Sequence, residues 1–551
     1  MKTSDPLSRL KSERFVLALQ FTLGVIAIGL IFWQLQFSTS AICCGDFDGY
    51  YHVKWTQILW NSIKTHTFVP PFPWLPLTTL NNKQYVDHHL LFHILLIPFV
   101  RAQDPRLGAK IASALFGGLA VVSCYWLLIR YRIRYVLVWL VALLACSAPF
   151  LFRLNMAKAP PFAIIFLVIA IHLFFRKKYW PLLPLAFFFT ETYDLFPLLI
   201  AATVMWIAVV GWTERRVEWR PLMWVLLGVA AGLVINPYFP QNVQLMYEHA
   251  RMKITPSDFS TKVGGEWYPY DSWEFLGNSL VACISMVVGY VALDLSERKQ
   301  NHHPVFFALF STFLLILMAR WRRIAEYWPP FAVMFAAFTL QPWLAGVRSK
   351  LPKLPSDIME ELKPFFDRDD VPQTKEDMSI REILKTAAAA FIALLLSVAL
   401  FLNLRATVKE IGQSEPHDHY REGAQWLEAH VPAGHLIFNT DWDDFPRLFY
   451  FDSAHYYVSG LDPNYLYDKS PELSDLYERI TLGKEDDPGP LIRDRFGATY
   501  VFSDNGHHDF FDKARASGWF DIVYEDEQCT IMRIRDEKSL SDFKEGYPDS
   551  N

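Results

Sequence analysis

Residues 15–52 read FVLALQFTLGVIAIGLIFWQLQF-STSAICC-GDFDGYYH: an apolar run, a short polar bridge, then two aspartates set among glycine and tyrosine. The run from Phe15 to Phe37 exceeds the roughly 20 residues that cross a hydrocarbon core of about 30 Å. It is too long for the apolar part of a signal peptide, and no small-residue cleavage site follows it, so it reads as an uncleaved anchor. Acidic and aromatic residues are therefore placed just where the chain leaves the bilayer.

Composition extends this reading to the whole chain. Of 551 residues, 52% are hydrophobic, 16% aromatic and 20% charged, against roughly 25% charge in soluble domains. That excludes a disordered chain, a disulfide scaffold and a coiled coil. A net charge of −5 and the lack of a basic run give no support for a nucleic-acid partner. The six cysteines show no CxxC spacing, so a zinc site is not expected.

Apolar stretches predict eleven spans, near 14–36, 107–129, 134–151, 160–176, 179–192, 194–212, 221–238, 273–294, 304–319, 325–345 and 384–404. With that count the clusters Arg9-Lys11-Arg14, Arg130-Arg132-Arg134, Arg176-Lys177-Lys178, Arg215-Arg216-Arg220, Arg298-Lys299 and Arg348-Lys350-Lys353 all fall on one side. That side is the cytoplasm. The count requires Leu90–Val100 to lie in the interface rather than cross, as its short length and His93 suggest. Residues 1–404 then form a polytopic α-helical membrane domain. Its first outer loop is 38–106, and 346–383 is a charged cytoplasmic linker. Residues 405–551 form a soluble extracytoplasmic α/β domain, with strands at 435–440, 499–503, 522–525 and 530–534 and helices at 420–430, 471–482 and 508–517. Compact loops fit a bacterial inner membrane. Membrane lipids are then obligatory neighbours. No internal repeat and no paired discontinuous helices are evident.

Chemistry-bearing residues gather on the outer side. Asp46 and Asp48 can hold a divalent cation such as Mg or Mn through oxygen ligands, or one of them can act as a general base, or they merely open the helix that begins near Tyr50. His52 follows on that helix. The same loop ends in Asp87-His88-His89-Leu90-Leu91-Phe92-His93; His88 and His89 either bind a ligand or line the polar face of the interfacial helix. Glu191 and Asp194 sit between two apolar runs, where ionisable groups face protein or water. Arg153 and Lys158 share an outer turn, against the positive-inside bias. Arg320, Arg322 and Arg323 violate it more sharply, and guanidinium forks match phosphate oxygens; snorkelling or pairing with Glu326 is the ordinary alternative. Glu266 stands in Gly264-Gly265-Glu266-Trp267-Tyr268, a stretch suited to a mobile substrate loop or to an aromatic belt.

This layout resembles the GT-C superfamily of membrane glycosyltransferases, and in particular the oligosaccharyltransferase catalytic subunit. Asp46-Phe47-Asp48-Gly49-Tyr50 matches that family's acidic motif in place and type, 86–100 matches its amphipathic helix, Glu266 its Glu-bearing loop, and Arg322 its phosphate-side arginine, with Arg320 and Arg323 as alternatives. Two departures stand out. The second outer turn reads Arg153-Leu154-Asn155-Met156-Ala157-Lys158 where the family carries an acidic pair. The soluble domain has Asp441-Trp442-Asp443-Asp444-Phe445-Pro446 where oligosaccharyltransferases carry Trp-Trp-Asp-Tyr-Gly, which argues against N-glycosylation. Either Arg447, Tyr457, Asp462 and Tyr465 line a different acceptor site, or Asp441–Pro446 is simply a structured turn after a strand.

The resemblance implies inverting transfer of a sugar or oligosaccharide from a polyprenyl-phosphate or -diphosphate donor to an extracytoplasmic glycan, lipid or protein acceptor. Asp48, with Asp46, would be the base or metal ligand, and the arginines would neutralise the leaving phosphate. The rival readings are a transporter or flippase for a lipid-linked phosphorylated glycan, and a binding protein on the same scaffold without catalysis.

Overall fold

The computed structural model describes residues 6–42, 47–101, 103–254, 265–296, 301–344 and 375–536. Cys43, Cys44, Asp46, Gly264 and most of the expected cytoplasmic linker lie outside the described residues. The chain divides into two compact units. One comprises Met1–Thr39, Ser113–Gly232 and Glu266–Gln413; the other comprises Ser40–Ala112, Leu233–Gly265 and Ser414–Asn551.

The first unit is helical. Among the described residues, five helices are long and apolar enough to cross a membrane: Arg14–Gln36, Pro105–Arg130, Pro197–Glu214, His302–Arg320 and Ala387–Ile411. The count becomes seven if each of two bent pairs is one span. In Ala387–Ile411 the most apolar stretch buries nothing inside the protein, and Phe391, Leu394 and Phe401 are exposed. Such a helix needs lipid as its solvent, so this is an integral membrane protein. Trp328–Leu344 is the opposite case. It is buried on all sides from Trp328 to Thr339, as expected of a helix apolar all round. Gly289 allows close approach of the neighbouring helix, since a β-carbon there would meet the Phe335 ring.

Two stretches expected as single spans are broken. Val136–Leu144 and Ala148–Leu154 meet at 80°, Ser272–Asn278 and Leu280–Ala292 at 86°. The cause of the first break is local: Ser147 adopts extended backbone and its hydroxyl accepts from the Phe150 amide, with Pro149 inside the first turn. Asp271 caps the start of the second pair through the Trp273 and Glu274 amides. The two breaks meet, Ser279 Oγ donating to Ser147 Oγ at 3.0 Å, and both serines are buried. Irregular backbone at membrane depth is tolerated when protein covers it in this way. Discontinuous helices are therefore present, although the sequence showed no sign of them.

The second unit is mixed. Its sheet has five strands, β1 (Leu436–Asn439), β2 (Tyr456–Tyr457), β3 (Tyr500–Asp504), β4 (Phe520–Glu525) and β5 (Cys529–Ile534), in the order β2-β1-β3-β5-β4. β1 is parallel to both β2 and β3, and β5 is antiparallel to β3 and β4. β2 has only two residues, too short for an alternation to be read in sequence. Helices Arg421–His430, Pro471–Thr481 and His508–Ser517 fall at the expected places.

Residues of the loop expected at 38–106 share this unit's core. Trp55, Phe72, Leu75 and Tyr85 pack in one cluster with Leu427, Phe445, Phe449 and Tyr457. Trp74 Nε1 donates to the Ser453 carbonyl at 2.8 Å, and the Tyr457 amide donates to the Trp74 carbonyl at 2.8 Å. Helix Asp48–Lys64 packs against helix Phe445–Phe451, with the Tyr50 ring edge-on to Tyr450.

Candidate active site

In the helical unit, several predicted residues converge. Arg153 lies in the last turn of the short helix after the first break. Its Nε donates to Glu326 Oε1 at 2.5 Å and its Nη2 to Glu266 Oε2 at 2.7 Å. Arg323 donates through Nη1 to Glu266 Oε1 at 2.7 Å and through Nη2 to the Tyr193 hydroxyl at 2.9 Å. Tyr327, one turn on, also donates to Tyr193, at 3.3 Å. The Trp267 ring faces the Arg323 guanidinium at 5.2 Å. Glu326 is only 1% exposed. Burial would raise the Glu266 carboxyl, but the Arg323 and Arg153 charges, aided by Lys158, outweigh it and hold the group well below the usual carboxylate range. Asp194 acts on Arg323 through its charge, and one of its carboxylate oxygens is buried without a hydrogen-bond partner.

The three arginines at 320, 322 and 323 separate. Arg323 points into this network. Arg322 donates to the Pro269 carbonyl at 3.0 Å and lies over the Tyr270 ring. Arg320 is exposed. Glu191 is buried. Glu326 and Tyr193 were not singled out as site residues. The one signal was spacing: Arg323 and Tyr327 are one helical turn apart, as are Arg322 and Glu326.

In the mixed unit, Asp48 opens helix Asp48–Lys64 and His52 lies one turn on, on the same face. His52 Nδ1 is 2.8 Å from His93 Nε2, and His93 Nδ1 is 2.8 Å from Asp87 Oδ1. Asp87 also accepts from Trp55 Nε1 at 2.9 Å and from the His89 amide at 3.1 Å. Burial works against the charged form of Asp87, but His93 outweighs it and the carboxyl is held low. The His88 and His89 rings lie tilted against one another, 4.1 Å apart, with the His89 ring 5.5 Å from His52. Arg447 is buried with its guanidinium over the Phe47 and Tyr50 rings. Tyr457 and Tyr465 are core residues, and Asp462 caps a turn through the Asn464 amide.

Asp441, Asp504 and His507 place ligand atoms within 4.8 Å of one another, a set able to hold a divalent cation. Burial, with the neighbouring Asp441 charge and a hydrogen bond to Asp441, pushes Asp443 up to about 8. Burial and the charges of Asp443, Asp441 and Asp504 also push Asp444 well above the usual carboxylate range. His507 is held up, and Asp504 down, by their mutual contact, in each case against burial.

These shifts give a stability slope. Asp443, Asp444 and His507 have folded values above the unfolded ones. Their contribution is full below the unfolded range and is lost as pH rises, for Asp443 through about 8. Asp504 runs the other way, losing its contribution only as pH falls through the carboxylate range. Cation-free protein is therefore expected to melt several degrees lower at about pH 8.5 than at about pH 6. Asp443→Asn should flatten that slope in a thermal melt followed by tryptophan fluorescence; an unchanged slope would refute the assignment.

The family model for the TgpA N-terminal domain matches residues 180–404. No curated protein matches the chain. Among solved structures, the archaeal oligosaccharyltransferase AglB from Archaeoglobus fulgidus, in complex with an inhibitory peptide and a dolichol-phosphate, is similar at 10% identity and a TM-score of 0.59, over 88% of this chain and 69% of that one. The apo form of the Archaeoglobus fulgidus enzyme gives 10% and 0.58, over 91% and 72%. ArnT from Cupriavidus metallidurans, in the apo state, is similar at 13% identity and a TM-score of 0.55, over 94% of this chain and 98% of that one. These likenesses show architecture alone: the chain shares the overall fold of the Archaeoglobus fulgidus oligosaccharyltransferase and ArnT structures.

Proposed function

We propose that this protein is a GT-C-type glycosyltransferase. It would move a sugar or oligosaccharide, with inversion, from a polyprenyl-phosphate or -diphosphate donor to an acceptor outside the cytoplasm. The observation that carries the reading is the pair of guanidiniums, Arg153 and Arg323, joined through one carboxylate, Glu266. Carboxylate and phosphate oxygens present similar geometry to an arginine fork. A donor phosphate can replace Glu266 between the two arginines, and the charge that develops on the leaving group is then met by preset donors. AglB has been captured with a dolichol-phosphate, and ArnT from Cupriavidus metallidurans bound to undecaprenyl phosphate, which supports a lipid phosphate as ligand. Arg320 and Arg322 would guide the head group at the membrane surface, and Lys158, Glu191 and Asp194 would tune the charge around it. Asp48, with Asp46, would deprotonate the acceptor or hold a cation, and His52, His88 and His89 would meet hydroxyl groups of the substrates. Eleven spans with the C-terminal domain outside the cytoplasm remain the topology that fits the basic clusters.

The two broken helix pairs favour a second reading, a transporter for the same lipid-linked anion, since such proteins build sites at discontinuous helices. One experiment separates the two. Purified protein in lipid nanodiscs is given radiolabelled polyprenyl-phosphate and -diphosphate sugars, with and without chelator. Loss of lipid-linked label is expected, and Arg323→Ala should slow it by about 10²-fold. Donor bound but never turned over across the panel would move the assignment to transport.

A further inference from the structure

The strands of the mixed unit create a crevice that the transfer reading leaves unused. β1 and β3 are parallel neighbours, with Asn439 opposite Phe502. The chain runs from β1 to β2 on one side, while β3 lies on the other. Connections that diverge in this way leave an opening outside the carboxyl ends of the two strands, where open α/β sheets bind ligands. Asp441 lies just past the end of β1, Asp504 ends β3, and His507 follows it.

Their ligand atoms lie within 4.8 Å of one another. His507 Nε2 is 3.2 Å from Asp504 Oδ2 and 3.8 Å from Asp441 Oδ2. A second, independent feature points the same way. Asp444 is 6% exposed, and its Oδ2 is buried without a hydrogen-bond partner. Its carboxylate faces those of Asp441, Asp443 and Asp504 and is repelled by all three. The other carboxylate contact is with the Tyr420 hydroxyl. A buried, unsatisfied carboxylate among like charges calls for a cation. Arg447 acts on Tyr420 from nearby, but its guanidinium is committed to the Phe47 and Tyr50 rings.

We propose that Asp441, Asp504 and His507, backed by Asp444, bind a divalent cation that ties the 441–444 loop to the end of β3. Carboxylate oxygens with a single imidazole nitrogen suit Mn2+ or Zn2+ better than an all-oxygen cation. The proposal concerns residues other than Asp46 and Asp48, and it stands or falls independently of sugar transfer.

The test uses the full chain in nanodiscs, stripped with chelator and titrated with Mn2+, with free Mn2+ followed by electron paramagnetic resonance. The Asp46→Asn/Asp48→Asn protein is expected to keep one Mn2+ per chain. Asp441→Asn/Asp504→Asn should weaken that ion by about tenfold or more. His507→Gln, which keeps the acids, should abolish the nitrogen coupling in the bound-Mn2+ spectrum and serves as the second variant should the double change fail to fold. No Mn2+ held below a Kd of about 1 mM, or binding unchanged by the Asp441/Asp504 substitutions, would overturn the proposal.

Discussion

Asp48→Ala is expected to reduce sugar transfer by on the order of 10²–10⁴-fold, the span general bases contribute, with donor binding retained. Asp48 is the first residue of its helix. An acid in a first helical turn contributes about 0.3–1 kcal/mol through the helix dipole. A thermal melt of Asp48→Ala beside the assay separates lost chemistry from lost fold. Asp48→Asn keeps the size and a hydrogen-bonding oxygen but removes the charge, so it should be nearly as inactive. The measurement is release of labelled sugar from the polyprenyl donor, run beside equilibrium donor binding. Equal turnover in wild type and Asp48→Ala would remove Asp48 from the chemistry.

The second large effect is structural. Arg153→Ala is expected to destabilise the helical unit by about 3–5 kcal/mol, the typical result of stripping one partner from a buried ion pair. Glu326 would be left 1% exposed and facing no cation at its Oε1. Its other oxygen, Oε2, already lacks a hydrogen-bond partner. Arg153→Lys should recover only part of this, because an ammonium cannot reach both Glu326 and Glu266 as the planar fork does. Arg153→Met combined with Glu326→Gln removes the stranded charge and should recover most of the lost stability. Thermal melts in a fixed detergent measure all three. If Arg153→Ala melts with wild type, the ion pair contributes nothing to the fold.

Most of the architecture was legible because hydrophobic length and alternation are strong signals. The helices at 105–130, 197–214 and 302–320 and four of the five strands stand where the apolar pattern put them. The breaks at Ser147 and Ser279 were not legible. The first falls at Ser147, whose hydroxyl caps the next helix inside an apolar run, the second at Ser279 just after Gly277-Asn278, and only the partner serine shows that the two meet. The site was half legible. Charges out of place in a membrane sequence, Arg153 and Arg323, did find partners. That Glu266 joins them, while Arg322 turns to Pro269, depends on how the turn at 322–326 winds, and no spacing rule encodes it. The Asp441–Asp504–His507 group was missed because its members are far apart in sequence and meet only through the pairing of β1 with β3.

The hydrogen bonds that join Asp87, His93 and His52 have a polarity set from their acidic end. An ionised Asp87 can only accept, so His93 must present N–H at Nδ1. With His93 donating there, a lone pair at its Nε2 obliges His52 to donate from Nδ1, whereas a hydrogen at that Nε2 obliges His52 to receive. One carboxylate at the end of the loop thus sets the sense of a hydrogen-bonded line that ends on the helix opened by Asp48.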